Sequence, residues 1–267
     1  MGTIREVLGS TDPLAAAGDG VSFAAEDLTP GRLPAEASLF QAPDPDRLAL
    51  IAHELRGPLA ALGISVDLLL HDLEGLDHAE VRAILRVMAR RVLWLQGLLE
   101  NLLLTPSLRQ GRLTLRPEPV NLVELCRDTG QLVEPLLAQR RQCLLVRWQG
   151  APVTVWTDRR RLGQVLLNLL LNAHQHGPAE TAITVTVSTH GPRFRIAVAD
   201  QGPGLQGVPA ARLFEPYFRA PGAASGGLGL GLAVVKAVAE AAGGAVGAEN
   251  GPSGGACFWI ELPIRLG

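Results

Sequence analysis

The sequence predicts two architectures in series: a helical hairpin that pairs with a second copy into a four-helix bundle, then an α/β sandwich. Three observations carry that expectation. From Leu48 to Leu102 apolar residues recur at steps of three and four, the mark of one helical face. From Val120 onward, helix-like and alternating strand-like segments follow one another. The chain has 267 residues, 47% hydrophobic and 19% charged, which suffices for one large core or two modest ones and excludes wholesale disorder.

The elements follow in order. Residues 1–46 are rich in Ala, Gly, Pro and Asp, and Pro30, Pro34, Pro43 and Pro45 break any long helix, so this stretch reads as a linker or weakly ordered arm. Residues 47–110 form the hairpin. Leu48, Ile51, Leu55, Leu59, Leu62, Val66 and Leu69 line one helix, "HDLEGLDHAE" turns the chain, and Val81, Leu85, Met88, Val92, Leu95, Leu99 and Leu102 line the second. One hairpin cannot cover two seams of that length, so two hairpins should associate as a homodimer. "TPSLRQGRLTLRPEPV" ends the second helix as a connector.

Residues 111–267 form the second domain. "NLVELCRDTGQLVEPLLAQR" is helical, "CLLVRWQ" and "VTVWTD" are strand-like, and "RRRLGQVLLNLLLNAHQH" is helical. "AITVTVST" and "RFRIAVAD" alternate as strands, "GLGLAVVKAVAEAAGG" is a helix ending in glycine, and "CFWIELPI" is a last strand. The hairpin-type succession of strands places the helices on one face of a sheet.

Composition narrows the function. A net charge of −2 offers no general attraction to nucleic acid or an anionic membrane. Cys126, Cys143 and Cys257 form no CxxC pair and read as buried thiols of a reducing compartment. No stretch reaches the ~18 apolar residues of a membrane span, and the N-terminus does not read as a signal peptide. A cytoplasmic chain is expected.

Four stretches carry chemistry. In "LIAHELRGPLAAL", His53 lies two residues before a seam position, hence on the outer, solvent side. It is either a plain surface histidine or a nucleophile whose proton Glu54 accepts; HExxH zinc spacing is absent. In "NLLLNAHQH", Asn168 and Asn172 are four apart on one face of an apolar helix. Such amides are either satisfied within the core or reserved for a hydrated Mg²⁺ that also holds phosphates. In "VADQGPGL", a strand delivers Asp200 into a turn with Gly202 and Gly204. It is an ordinary Asp-Gly turn, or a carboxylate accepting from an exocyclic amine such as that of adenine. In "SGGLGLGLAVVKAVAE", glycines precede and enter a helix whose free N–H groups suit phosphate, although no GK[ST] makes it a P-loop. Between the last two, "LFEPYFRAPGAAS" suits a mobile lid.

These stretches, in this order, resemble the sensor histidine kinases of two-component signalling, from Leu48 to the C-terminus, more than four-fifths of the chain. "AHELRGPL" is similar to the H box, which implies His53 as the phosphorylated residue and Glu54 as its acid/base partner. "NLLLNAHQH" is similar to the N box, implying Asn172 as the magnesium ligand and Asn168 as its polar neighbour. "DQGPG" is similar to the G1 box, with Asp200 reading the adenine amine and Gly202 and Gly204 beside it. "LFEPYF" is similar to the F box, and "GLGLGL" to the G2 box, with Gly227, Gly229, Leu230 and Gly231 at the phosphates. The resemblance implies a Bergerat-type ATP-binding domain, ATP and Mg²⁺ as cofactors, and transfer of the phosphoryl group from His53 to an aspartate of a response regulator. It also implies that the ATP domain swings to reach His53, with Thr105 to Pro119 as hinge.

Four positions depart from the family pattern. Gly57 stands where Thr or Asn is usual, which puts dephosphorylation of the regulator in doubt. Gln175 stands where Lys or Arg is frequent near the terminal phosphate. His176 replaces an aromatic and can still stack on adenine. Ala242 replaces a His before Gly243 and Gly244, with little effect expected. Because Gln175 is neutral, a decayed kinase acting as a dimeric regulator-docking scaffold is the rival. A chaperone or mismatch-repair type ATPase needs a glutamate where Asn168 stands, and a serine-kinase anti-sigma factor lacks the hairpin.

Overall fold

The computed structural model describes residues 45–266 apart from 73–74, 111–112, 151–152, 221–227 and 252–253, with backbone alone at 45–48, 50 and 103–110. The expected arm at 1–46 therefore lies almost wholly outside the described residues.

Two long helices open the described chain, α1 (Pro45–Asp72) and α2 (His78–Gln110). Asp77 starts α2 as an N-cap: its Oδ1 accepts from the backbone N–H groups of Ala79 and Glu80, while Glu80 accepts from the Asp77 N–H. α1 runs through Gly57 and the buried Pro58 without a break. The connector expected from Thr105 starts later, because α2 continues to Gln110. A proline removes one backbone donor, and that does not end a helix already packed over the preceding turns. Beyond it, Leu113 and Leu115 pack on the main core and the Arg116 N–H donates to Asp158 Oδ2 at 2.9 Å, so little of the expected hinge is free.

The remaining elements are β1 (Glu118–Asn121), α3 (Leu122–Gln139), β2 (Cys143–Gln149), β3 (Thr154–Thr157), α4 (Arg159–His176), β4 (Ala182–His190), β5 (Arg193–Ala199), α5 (Ala210–Leu213), α6 (Gly231–Ala241), β6 (Ala245–Asn250) and β7 (Ala256–Pro263). The main sheet runs β2-β4-β5-β7-β6. Among the described strands of the main sheet only β2 and β4 pair in parallel, with β3 and α4 forming the crossover between them. That differs from an all-hairpin succession, as does β3, which leaves the main sheet to pair with β1.

Strict alternation explains the layering. Ile183, Val185 and Val187, then Phe194, Ile196 and Val198, then Phe258, Ile260 and Leu262 all point to one buried face. Register sets Val185 against Val198 and Ile196 against Ile260. Helices α3, α4 and α6 cover that face with Leu122, Leu125 and Val133, with Leu162, Leu166 and Leu169, and with Val234, Val235 and Val238. Two side-chain caps fix where helices begin. Asn121 Oδ1 accepts from the N–H groups of Val123 and Glu124, and Asp158 Oδ1 from that of Arg161. An N-terminal helical region thus precedes an α/β sandwich with its helices on one side.

The cysteine expectation needs correction at two positions: Cys126 is buried, and burial pushes its thiol up to about 11, but Cys143 is exposed on the edge strand β2 and Cys257 is only half-buried. No helix among the described residues is long and apolar enough to cross a membrane.

Candidate functional site

A cavity of about 420 Å³ opens between α4, the turn after β5, the segment before α6, and α2 of the hairpin. Asn168, Asn172, His176, Asp200, Gly204, Gly229, Leu230 and Gly231 all line it. Gly202 lies in the adjoining turn, Gly227 falls outside the described residues, and the expected lid does so in part, at 221–225. His53 and Glu54 do not line the cavity: His53 is exposed on α1 and Glu54 is half-buried.

Asp200 directly follows β5 and is 5% exposed. Its Oδ1 accepts from the N–H groups of Gly202 at 2.7 Å and Ala256 at 3.1 Å, whereas Oδ2 is buried without a hydrogen-bond partner among the described residues. A buried carboxylate oxygen without a donor is costly unless a ligand supplies one. The close packing around it accounts for the glycines. A Cβ at Gly202 would meet the His176 carbonyl at 2.5 Å, and one at Gly255 would meet the Asp200 carbonyl at 2.0 Å. Gly204 has φ +74°, and a Cβ there would press on Asn250 Oδ1, which accepts from the Leu205 N–H.

The two asparagines of α4 have different fates. Asn168 is 6% exposed and its amide is taken up by Asn101 of α2 and by the Gly231 carbonyl. Asn172, one turn on, is half-buried and its amide has no hydrogen-bond partner among the described residues, so its oxygen is the one available to a cation. His176 follows at the end of α4. Burial lowers its pKa below the usual histidine value, against the opposing pull of Asp200, and so favours the neutral ring, which suits stacking on a base. Arg140 and Gln142 hold this helix end. Arg140 donates to the His174 carbonyl, Gln142 donates to the carbonyls of Gly177 and Pro178, and Gln142 Oε1 accepts from the His174 ring at 2.6 Å.

On the opposite wall, α6 starts at Gly231 after Leu230, and no side chain caps it. Its first N–H groups are left for an anion. Gly229 has φ +66°, and a Cβ there would fall 2.6 Å from the Phe218 carbonyl; its own carbonyl accepts from the Tyr217 N–H at 2.9 Å. The "LFEPYF" segment and the glycine segment therefore meet as one wall. Phe214 anchors that wall edge-on against Phe258 at 6.3 Å.

The sequence reading missed four contributors: Asn101, Trp94 and Leu98 on α2, and Gly255 beneath Asp200. Among the described residues no cluster of three or more His, Cys, Asp or Glu could hold a metal by itself, so a cation here needs ligand phosphates to complete its shell.

A buried carboxylate with one oxygen open, an unpartnered amide on α4 and an uncapped helix N-terminus thus meet around one cavity of the α/β sandwich. Residues 157–266 match the family of histidine kinase-, DNA gyrase B- and HSP90-like ATPases. The chain is 33% identical to the sensor protein KdpD of Escherichia coli over 220 residues, 81% of this chain and 24% of that protein. Among the first relatives matched it spans 14% to 58% of their length. Of solved structures, full-length ShkA in complex with AMPPNP matches at TM-score 0.57 and 30% identity, over 84% of this chain and 46% of that one. Histidine kinase ThkA in complex with response regulator protein TrrA shares the fold at TM-score 0.55 and 23% identity, over 83% and 62%. The α/β sandwich is a sensor histidine kinase catalytic domain of the Bergerat fold, related to known two-component sensor kinases, and phosphotransfer is the function of that family.

Proposed function

We propose that this protein is an ATP-dependent protein-histidine kinase that phosphorylates its own His53 and passes the phosphoryl group to an aspartate of a response regulator. The observation that carries the reading is the unpartnered Asp200 Oδ2 in the cavity wall, which suits the exocyclic amine of adenine. Asn172 would hold Mg²⁺, His176 would stack on the base, and the α6 N-terminus with Gly229, Leu230 and Gly231 would take the phosphates. ATP supplies the phosphoryl group, and Mg²⁺ offsets its charge. A ring nitrogen of His53 forms the N–P bond as the P–O bond to ADP breaks, and Glu54 accepts the ring proton. Residues 47–110 serve as dimerisation and phosphotransfer hairpin and 111–267 as the ATP-binding domain. A regulator partner is supported by the fold shared with the ThkA–TrrA complex. Incubation with Mg²⁺ and γ-labelled ATP tests the reading through an acid-labile, alkali-stable label. ATP binding without label favours the scaffold alternative that Gln175 keeps open.

A homodimer is part of the proposal. Leu59 and Val66 on α1, and Leu85, Val92 and Leu99 on α2, recur every seven residues and stay 39% to 56% exposed in the single chain. They form an uncovered stripe that a second hairpin would bury. Val92→Glu combined with Leu99→Glu should convert the dimer to a monomer in sedimentation, because each carboxylate buried unpaired costs several kcal/mol. A dimer that persists would place the interface elsewhere.

Weak dephosphorylation of the regulator is also proposed. A Cβ at Gly57 would meet nothing within 4 Å, and glycine offers no group to orient a water. Phosphorylated regulator should lose its label no faster with this protein than alone, and Gly57→Thr should accelerate the loss. Fast loss with the unaltered protein counts against the role of this position.

A further inference from the structure

Polar contact as well as apolar contact docks the hairpin on the ATP-binding domain. Asn101 of α2 is 8% exposed. Its Nδ2 donates to Asn168 Oδ1 at 3.1 Å, and its Oδ1 accepts from Asn168 Nδ2 at 3.2 Å and from Gln164 Nε2 at 3.1 Å. Asn168 Nδ2 also lies 3.3 Å from the carbonyl of Gly231, the first residue of α6. One chain of amides thus runs from the hairpin through α4 to the glycine segment of the nucleotide site. Beside it Leu98 packs with Leu228 and Leu230, flanked by Ile51, Leu55 and Trp94.

This docking has a consequence for chemistry. The hairpin residues that face the cavity are on α2, while His53, between the docked Ile51 and Leu55 in sequence, is exposed and outside it. Leucine contacts tolerate sliding, but a buried, fully paired amide cluster holds one register, because any other leaves its donors and acceptors unmatched.

We propose that Asn101 is the latch of a resting arrangement, in which the hairpin is docked on Asn168 with His53 withheld from the nucleotide, and that this contact opens before His53 is phosphorylated. The inference rests on the kinase reading and adds a specific restraint to it.

The test uses the full chain with Asn101→Ala and, separately, Gly97→Phe. A Cβ at Gly97 would meet only Leu171 Cδ1 at 3.9 Å, so a large side chain there wedges α2 from α4 and leaves the amides unaltered. Hydrogen exchange of residues 96–102 and 164–172 reads the docking, and initial autophosphorylation rates against ATP concentration read kcat and KM. Both variants should exchange faster in those segments and raise kcat about fivefold or more, an ordinary size for coupling between sites, with KM for ATP little changed. Unchanged exchange, or faster exchange with kcat unchanged or lower, overturns the latch. A labelled wild type with unmoved variants removes the latch alone. No label on any of the three chains, with ATP bound, removes the kinase reading and the latch with it.

Discussion

His53→Ala should bind ATP as tightly as the unaltered protein and acquire no acid-labile label. The side chain is exposed on α1 and lines no part of the nucleotide cavity, so its removal costs neither packing nor nucleotide contacts. Only the nucleophile is lost, and labelling should fall to background. Glu54→Gln is the graded companion. It keeps shape and removes the basic oxygen, so labelling should slow by about 10²- to 10⁴-fold, the usual contribution of general-base help. A circular dichroism melt close to that of the wild type checks that the hairpin is intact. Equal labelling of His53→Ala and wild type would place the phosphoryl group on another residue and end the assignment.

The parts of this architecture that local pattern governs were legible in the sequence. Alternation placed β4 and β5, and spacing of three and four placed α1 and α2. Contacts between distant segments were not legible. Asn168 and Asn172 look equivalent in sequence, four apart on one helix, and only Asn101, far away in the chain, decides which amide stays open. Asn101 did leave a trace, as an amide interrupting the apolar run "LLENLLL". Strand β6 left almost none. "AVGAEN" lacks β-branched alternation because Gly247 lies under the Trp259 ring, where a Cβ would fall 2.2 Å from a ring atom. The seam was legible as a seam but not as two surfaces. Leu98 turns to the glycine segment and Leu99 outward. The glycine pair at Gly254 and Gly255 gave no sign of its role beneath Asp200, since nothing local ties it to a carboxylate more than fifty residues earlier.

Asp200→Asn should leave the fold intact and weaken ATP binding by about 100-fold. Oδ1 accepts from Gly202 and Ala256, and an amide oxygen can keep both bonds. The change falls on Oδ2, which has no hydrogen-bond partner among the described residues. Replacing it with an amide nitrogen sets a donor against the adenine amine, itself a donor. The substitution therefore removes one charge-assisted hydrogen bond and leaves buried donors unmatched, together about 3 kcal/mol. Calorimetric titration with a non-hydrolysable ATP analogue measures the loss. The same geometry predicts a change of selectivity as well as affinity. Guanine presents a carbonyl oxygen where adenine presents its amine, so the new amide donor suits guanine better than the carboxylate does. Binding of the GTP analogue should fall less than that of the ATP analogue, or rise. If both analogues weaken equally while the melting temperature holds, Asp200 acts on the site as a whole and does not read the base. If neither weakens, the adenine end of the nucleotide lies elsewhere in the cavity, and the His176 ring becomes the group to test next.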